Sequence, residues 1–542
     1  MEIRIKTTLF CFIALQIMMN ISAKAQPHFQ WAQSDPVGYS QTPFGKAHLA
    51  KGSGTSFWYA QLDSAIGSFQ IPGTWNIKRV DATGTVFSQF SLGTVPGIVD
   101  LEELSGDVLI SGSFVDSLTV NGTTLDLDTT NSQFITSVPF VARLSPTGQV
   151  VWYRNFNTGT PFGRTVYATA VSPSGEVYCS VTQPGGGTKL FELDNTGATV
   201  DSIIMGGSIN ASDFGFDAQG NLFVVGATGS GPLWQVGNFS IAVPYSYAIY
   251  VAKILPSKNA KWVRFTEDIT FPRPQLHVNS DGSCYVAGDL DAPTQWDNIP
   301  LGGAQWVYDF YLVRIDTAGF AQWARELPLQ QPSITGDFSL SNGRYMSVSD
   351  SQQVTLLGFT RGFVDFGNGL VTPSAPGTQS RIVCVSFDSS GTPLWYKSVN
   401  GPPTALAPYD IIHQDTSWYL SSVVGSVSGL LFDTIPLNTT TGANSVLARL
   451  SYSTPVVTSL TEWGSKEWVP YPNPASTDLF IPGGAWEQIE VVAMDGRRQQ
   501  VYIIPSQQGV FIDVRNLPNG PYLTFAYDKD NIRAVFRFHV LR

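Results

Sequence analysis

Charge is scarce in this chain, and cations are scarcer than anions. Of 542 residues only 13% are charged, 31 basic against 42 acidic, for a formal net charge of −11. That balance repels a phosphate backbone, and no basic stripe interleaved with aromatic residues offsets it locally, so nucleic acid is excluded as a partner. Cysteine is nearly absent. Cys11 lies in the first residues, while Cys179, Cys284 and Cys384 each sit in a strand-like run at spacings that match no zinc site. Buried free thiols are expected there, with one disulfide plus a leftover thiol as the alternative. Long hydrophobic runs are missing too. The longest, Leu9 to Ile21, is 13 residues interrupted by Gln16 and Asn20, short of the ~20 needed to span a bilayer. No transmembrane segment is therefore expected in the mature chain, and long amphipathic helices are not visible anywhere.

What is present begins with a leader. Basic Arg4 and Lys6, the apolar run, and the triplet Ala23, Lys24, Ala25 make residues 1–25 a secretory signal peptide, cut after Ala25 with Ala23 and Ala25 as the small residues at the cleavage site.

The rest is rich in glycine (51) and proline (34) and is organised by repetition. One phrase recurs as IKRVDATGTVFSQF, VARLSPTGQVVWYRNF, LFELDNTGATVDSII, VAKILPSKNAKWVRF, LVRIDTAGFAQWARE and VSFDSSGTPLWYKSV. Each copy is a strand, a polar turn and a second strand, and most turns end in Gly (Gly84, Gly148, Gly197, Gly319, Gly391). A second phrase precedes each copy, as in LSGDVLISGSF and DAQGNLFVVGAT. Two tight hairpins per unit, recurring every roughly 45 to 70 residues, are the layout of propeller blades. The long connections then fall on one face. The seventh unit, VLARLSYSTP, lacks its fourth strand, and FQWAQS from Phe29 to Ser34 offers one, with Trp31 in the place of Trp152, Trp262, Trp323 and Trp395. The fold expected is all-β: a seven-bladed β-propeller over residues 27–455, with six or eight blades as alternatives, a linker at 456–467, and a small immunoglobulin-like β-sandwich over 468–542.

Two resemblances carry the same residues further. The pieces GSFVDSLTVNGTTL, GFTRGFVDFGNGLV and SVSGLLFDTIPL resemble the repeats of bacterial seven-bladed propellers, which implies a fold and no particular chemistry. The last module, with VPYPNPASTDLFIP, IEVVAMDGRRQQVY and FIDVRNLPNGPYLTF, is similar to the C-terminal sorting domain of the type IX secretion system, on Pro472, Asn473, Pro474, Gly496, Gly520 and Tyr522. It departs from that family in ending RFHVLR rather than in a Lys-rich strand. The resemblance implies recognition by the type IX machinery at the outer membrane, with the product secreted or attached to the outer cell surface; an ordinary spacer or carbohydrate-binding sandwich is the alternative.

Chemistry is harder to find. His28, His48, His277, His413 and His539 show no metal-ligand spacing, and no nucleophile elbow, phosphate loop or dinucleotide fingerprint is present. Catalytic residues, a metal and cofactors are accordingly not expected. Candidate ligand-binding aromatics are Trp234, Trp296, Trp306 and Tyr308 in the inserted hairpins, which could stack on sugar rings or instead pin each hairpin to its own blade. Acidic Glu267, Asp268, Asp289 and Asp291 could form a carboxylate pair for glycan cleavage. The leading expectation is a secreted or surface-displayed binding, adhesion-type protein whose partner is a glycan or surface protein; the alternative is a polysaccharide-degrading enzyme working with loop carboxylates.

Overall fold

The computed structural model describes residues 26–37, 46–65, 73–95, 97–114, 117–126, 138–156, 166–183, 187–229, 231–267, 273–290, 292–303, 309–328, 336–372, 380–399, 406–426, 429–437, 439–440, 442–452, 470–482, 486, 488–493, 498–506, 508–527 and 532–542. The leader with Ala23 and Ala25, and the linker, lie outside them. Every element among the described residues is a β-strand. The chain divides into two compact units, Met1–Pro455 and Val456–Arg542.

The first unit is built from antiparallel four-stranded meanders, each strand pairing with the next. In the first sheet these are Ala47–Lys51, Phe57–Ala65, Gly73–Val80 and Val86–Val95, and in the second Gly97–Leu104, Asp107–Phe114, Val138–Leu144 and Val150–Asn155. The third holds Val166–Val171, Val177–Thr182, Thr188–Leu193 and Thr199–Gly206; the fourth Ser208–Phe216, Leu222–Thr228, Ala248–Ile254 and Ala260–Glu267. In the fifth they are Gln275–Val278, Cys284–Asp289, Phe310–Ile315 and Ala321–Arg325. The sixth has a first strand in two pieces, Gly336–Leu340 and Met346–Val348, followed by Val354–Gly362, Ser380–Phe387 and Pro393–Ser398. The seventh takes Leu406–Gln414, Ser417–Val424 and Asn444–Ser451, and then His28–Pro36 from the amino end. That last strand runs antiparallel to Asn444–Ser451, with Trp31 opposite Arg449 and Phe29 opposite Leu450.

Apolar layers lie between sheets. Leu109 and Val141 of the second sheet meet Cys179 and Val181 of the third, and Phe223 and Val251 of the fourth meet Val286 and Tyr311 of the fifth. Tyr419, Val423 and Leu447 of the seventh pack with Trp58, Tyr59 and Ile77 of the first. The first strands touch in succession, and the seventh sheet's touches the first sheet's. Cys179, Cys284 and Cys384 are buried and unpaired, serving as small apolar groups.

The turn glycines have a second use beyond their left-handed backbone. A Cβ on Gly319 would lie 2.6 Å from the Trp262 ring of the preceding sheet, and one on Gly84 3.2 to 3.3 Å from Gln33 and Trp31. The indole of one sheet thus rests on the turn of the next. Trp323 Nε1 donates to Ser389 O at 3.0 Å, and Trp31 Nε1 donates to Ala82 O at 3.0 Å, the same position in the turn. Arg314 and Arg449 donate to those same two carbonyls at 3.0 Å. Between the third and fourth sheets Asp201 stands where five sheets have Trp and the first has Ser88, and Lys258, which replaces the turn glycine, pairs with Glu192 and Asp201 instead.

The inserted hairpins depart from expectation, because they line the outer edges of the sheets rather than one face. Ser117–Val120 pairs with the outer strand of the first sheet and Leu233–Val236 with that of the third. An outer strand has unpaired backbone groups, and a hairpin with alternating apolar residues covers them while burying its own side chains.

The second unit is a β-sandwich. Asp478–Pro482, Gly509–Asp513 and Tyr502–Ser506 form one sheet, and Arg498–Gln499, Gln488–Ala493, Gly520–Tyr527 and Ile532–Val540 the other. Leu479, Ile481 and Ile512 from one sheet share a core with Val491, Tyr522 and Phe538 from the other. Tyr522 stacks on Phe538 and its hydroxyl donates to Pro518 O at 2.8 Å, the backbone tie that fixes tyrosine corners in sandwiches. Asn473 bonds both ways with the last strand, to Arg537 O at 3.2 Å and from His539 N at 2.9 Å. Pro472 and Pro474 flank it, Gly520 opens its strand, and Gly496 lies outside the described residues.

Candidate functional site

A set of polar side chains recurs on the first strands of the first unit. Asp100, Asp213 and Asp410 occupy the same register, each at a β-bulge, where His48 of the first sheet and Gln275 of the fifth also stand. Each reaches the backbone of the next sheet. Asp100 accepts from Thr169 N at 3.0 Å, Asp213 from Leu276 N at 2.8 Å and Asp410 from Leu49 N at 2.8 Å. His48 Nε2 lies 3.0 Å from Ile98 O, and Gln275 bonds Gly343 O at 2.6 Å and Met346 N at 3.0 Å. In the third sheet Ser180 takes over and donates to Ala211 O at 2.9 Å. These side chains therefore stitch neighbouring sheets at a depth where an unpaired strand group would be costly.

Arg344 is the exception. It sits in Ser341–Tyr345, the segment that interrupts the sixth sheet's first strand, and its Nη2 reaches Asp100 at 2.8 Å and Glu102 at 2.7 Å in the second sheet. The segment is held on all sides: Arg344 N donates to Asp410 at 2.6 Å, and the Tyr345 hydroxyl shares its one proton between Arg273 O at 2.7 Å and Ala287 O at 2.9 Å. Gly343 is required there, since a Cβ would stand 2.1 Å from Asp410 Oδ1. Arg344, Asp100 and Glu102 side chains keep 29%, 19% and 29% of their exposure, so water reaches the cluster.

Burial lifts the Asp100 carboxyl to about 8, against the pull of Arg344 and with a push from Glu102. Asp213 rises to about 6, again by burial. Asp100 thus holds a proton more readily than an ordinary carboxyl, while Arg344 stays charged between Asp100 and Glu102. His277 on the fifth sheet's first strand falls to about 4 through burial and then Lys51.

The expected site residues do not gather here. Trp234 and Trp296 are 0% and 1% exposed, packed on Tyr250 and Tyr311 at ring distances of 5.5 and 5.9 Å. Neither offers a face to a sugar in this conformation; both pin a hairpin to its own sheet, for the physical reason that an indole on a solvent edge gains most by covering a tyrosine. Trp306 and Tyr308, like Asp268 and Asp291, lie outside the described residues. Glu267 is exposed and Asp289 half-buried, at the ends of the fourth sheet's outer strand and the fifth sheet's second strand. Among the described residues no three His, Cys, Asp or Glu side chains converge as metal ligands, and no helix is long and apolar enough to cross a membrane. The stitching residues were open to detection as a polar residue recurring just before an apolar one on alternate first strands, VDLE, SDFG and YDII. Among the described residues no other sheet's first strand has the interruption that delivers Arg344.

Among the described residues of the first unit two clefts stand out. One of about 540 Å³ lies between the turns of the fifth and sixth sheets, lined by Asp281, Arg314, Asp316, Gln322 and Trp323 among others. The other, about 420 Å³, lies at the outer edge of the first sheet and is lined by Thr74, Asn76, Gln89, Ser91, Thr119 and Asn121 together with Phe90 and two glycines.

No protein family and no curated protein matches the chain. Solved structures similar to it include a protein of unknown function from Bacteroides caccae, 10% identical with a TM-score of 0.30 over 60% of this chain and 89% of that one. Dipeptidyl peptidase 4 of Porphyromonas gingivalis is 10% identical, with a TM-score of 0.29 over 72% of this chain and 65% of its own. A GH43 glycoside hydrolase engineered for both endo-xylanase and exo-arabinofuranosidase activity is 11% identical, with a TM-score of 0.17 over 78% and 97%. TM-scores this low carry no argument about function.

Proposed function

We propose that the first unit is a seven-bladed β-propeller closed by its amino-terminal strand, and that it serves as a binding, adhesion-type module outside the cell. In this reading residues 1–25 direct export, and the immunoglobulin-like sandwich of 468–542 is recognised by the type IX machinery, leaving the propeller secreted or held on the outer surface. The observation that carries the binding role is the use made of the buried carboxylates. Asp100, Asp213 and Asp410 each accept a backbone N–H from the next sheet, so they act as joints rather than as a free acid and base. Export rests on the leader and on the residues shared with sorting domains, of which Asn473 and Tyr522 hold the sandwich together.

A glycan array and a cell-adhesion assay with the mature chain test the role. Binding in either supports it, and silence in both overturns it. Fractionation of cells making the full chain and a chain ending at Pro455 tests the export route; surface or medium localisation that survives the truncation removes the sorting domain from the account.

A further inference from the structure

Four inserted hairpins each rest an aromatic side chain on the outer half of the sheet they interrupt. Trp234 rests on Tyr250, Trp296 on Tyr311, Phe366 on Tyr396 and Phe432 on Phe29. In the fourth and fifth sheets the seat is a tyrosine three residues before the basic residue that pairs with the outer-strand Trp, Lys253 opposite Trp262 and Arg314 opposite Trp323. In the first sheet the corresponding pair is Arg79 opposite Ser88, which puts Asn76 in the tyrosine's place, opposite Ser91. There the second and third strands are joined only by residues 66–72, and among the described residues no hairpin covers the seat.

That vacant seat is the cleft of about 420 Å³, within the size range of small-molecule sites. Its second wall is the neighbouring hairpin, through Thr119 and Asn121. Apart from Phe90 and two glycines the lining side chains are hydroxyls and amides, and none is charged. Asn76, part of the lining, accepts from Ser91 on its Oδ1 at 2.8 Å, which leaves its Nδ2 group as a donor. Asn121 Nδ2 is used on Thr147 O at 3.3 Å, which leaves its carbonyl as an acceptor. The Gln89 amide is exposed beside them. Paired amide donors and acceptors match the vicinal hydroxyls of sugars, while the absence of a cation in the lining gives carboxylate- or sulfate-bearing glycans nothing to pair with. The Phe90 ring lies against Gly148 of the second sheet, where a Cβ would come within 2.6 Å of it, so recognition here is by hydrogen bonds rather than stacking.

We propose that the vacant hairpin seat on the first sheet is a subsite for an uncharged, hydroxyl-rich saccharide chain. The proposal rests on the reading of the propeller as a binding module and names the ligand class of one surface of it. The test uses the mature chain and isothermal titration with neutral cello-, xylo-, malto- and manno-oligosaccharides, with oligogalacturonate as the anionic counterpart. Asn76→Ala with Gln89→Ala removes two half-exposed or exposed groups and is expected to leave the melting temperature in place while weakening a neutral oligosaccharide at least about tenfold. A Gln322→Ala change in the other cleft is expected to leave that affinity unchanged. If no neutral oligosaccharide binds the unaltered chain, if the double variant binds as well as the parent, or if only oligogalacturonate binds, the subsite is refuted. Glycan or cell binding that persists through the double variant refutes this subsite alone and leaves the binding role intact; absence of all glycan and cell binding removes both.

Discussion

Replacing Trp31 with alanine should destabilise the first unit as much as replacing a tryptophan at a joint inside the continuous repeat. Trp31 lies on the strand from the amino end, its Nε1 donates to Ala82 O at 3.0 Å and its ring rests on Gly84 of the first sheet. Truncating a fully buried Trp typically costs about 3 to 5 kcal/mol. Trp31 is only half-buried, so about 2 kcal/mol is the packing share, to which the hydrogen bond adds about 1 kcal/mol. A loss of about 2 to 3 kcal/mol is therefore expected in urea unfolding of the mature chain. Trp323, also half-buried, makes the same bond to Ser389 O and provides the internal standard, since Trp323→Ala should lose a similar amount. A Trp31→Ala variant within about 0.5 kcal/mol of the parent, alongside a Trp323→Ala variant that loses about 2, would refute the equivalence of the two joints.

The latch beside it is testable separately. Asp433 accepts Phe29 N at 2.8 Å and pairs with Lys397 at 3.0 Å, as Asp297 accepts Ala321 N at 2.6 Å in the fifth sheet; Asp433→Ala and Asp297→Ala should each cost about 1 to 3 kcal/mol in the same assay, and a neutral Asp433→Ala would contradict the latch. The share of stability held by Asp100 and Asp213 should also fall as pH rises from about 4 to about 8, against an opposite share from His277 and His413, which burial lowers to about 4. Asp100 is raised by burial to about 8 and Asp213 to about 6, both above the unfolded value of about 3.9, so the folded chain holds protons that the unfolded chain has released, and stability present below pH 4 is lost as pH climbs through the folded values. Chemical denaturation of the parent and of Asp100→Asn at pH 5 and pH 8 checks this, the parent being expected to lose more stability over that interval than the variant; the same pH dependence in both would contradict it.

Much of the first unit was legible because its repeat is written in local chemistry. A polar turn ending in glycine must be a hairpin, and Trp31 shares its setting with Trp323 closely enough that the pairing with Asn444–Ser451 follows from a search for the missing strand. What stayed hidden depends on distant partners. The stitching role of Asp410 becomes visible only when Leu49, far away in sequence, is beside it. The Ser341–Tyr345 interruption is a tolerated break in one strand whose reason lies in the second sheet. That Trp234 could pin its hairpin was open to sequence as one of two roles, but the seat it takes, Tyr250, was not.

The central claim, that the amino-terminal strand completes the last blade, is tested most directly by a cross-link. Ala32 and Ala448 are opposite one another in the ladder, at a separation that a disulfide can bridge. With Ala32→Cys and Ala448→Cys in the mature chain, oxidation should produce an intramolecular disulfide seen as a faster-migrating band on a non-reducing gel and reversed by reductant. A chain that stays linear, or that links only to other copies, would contradict the closure.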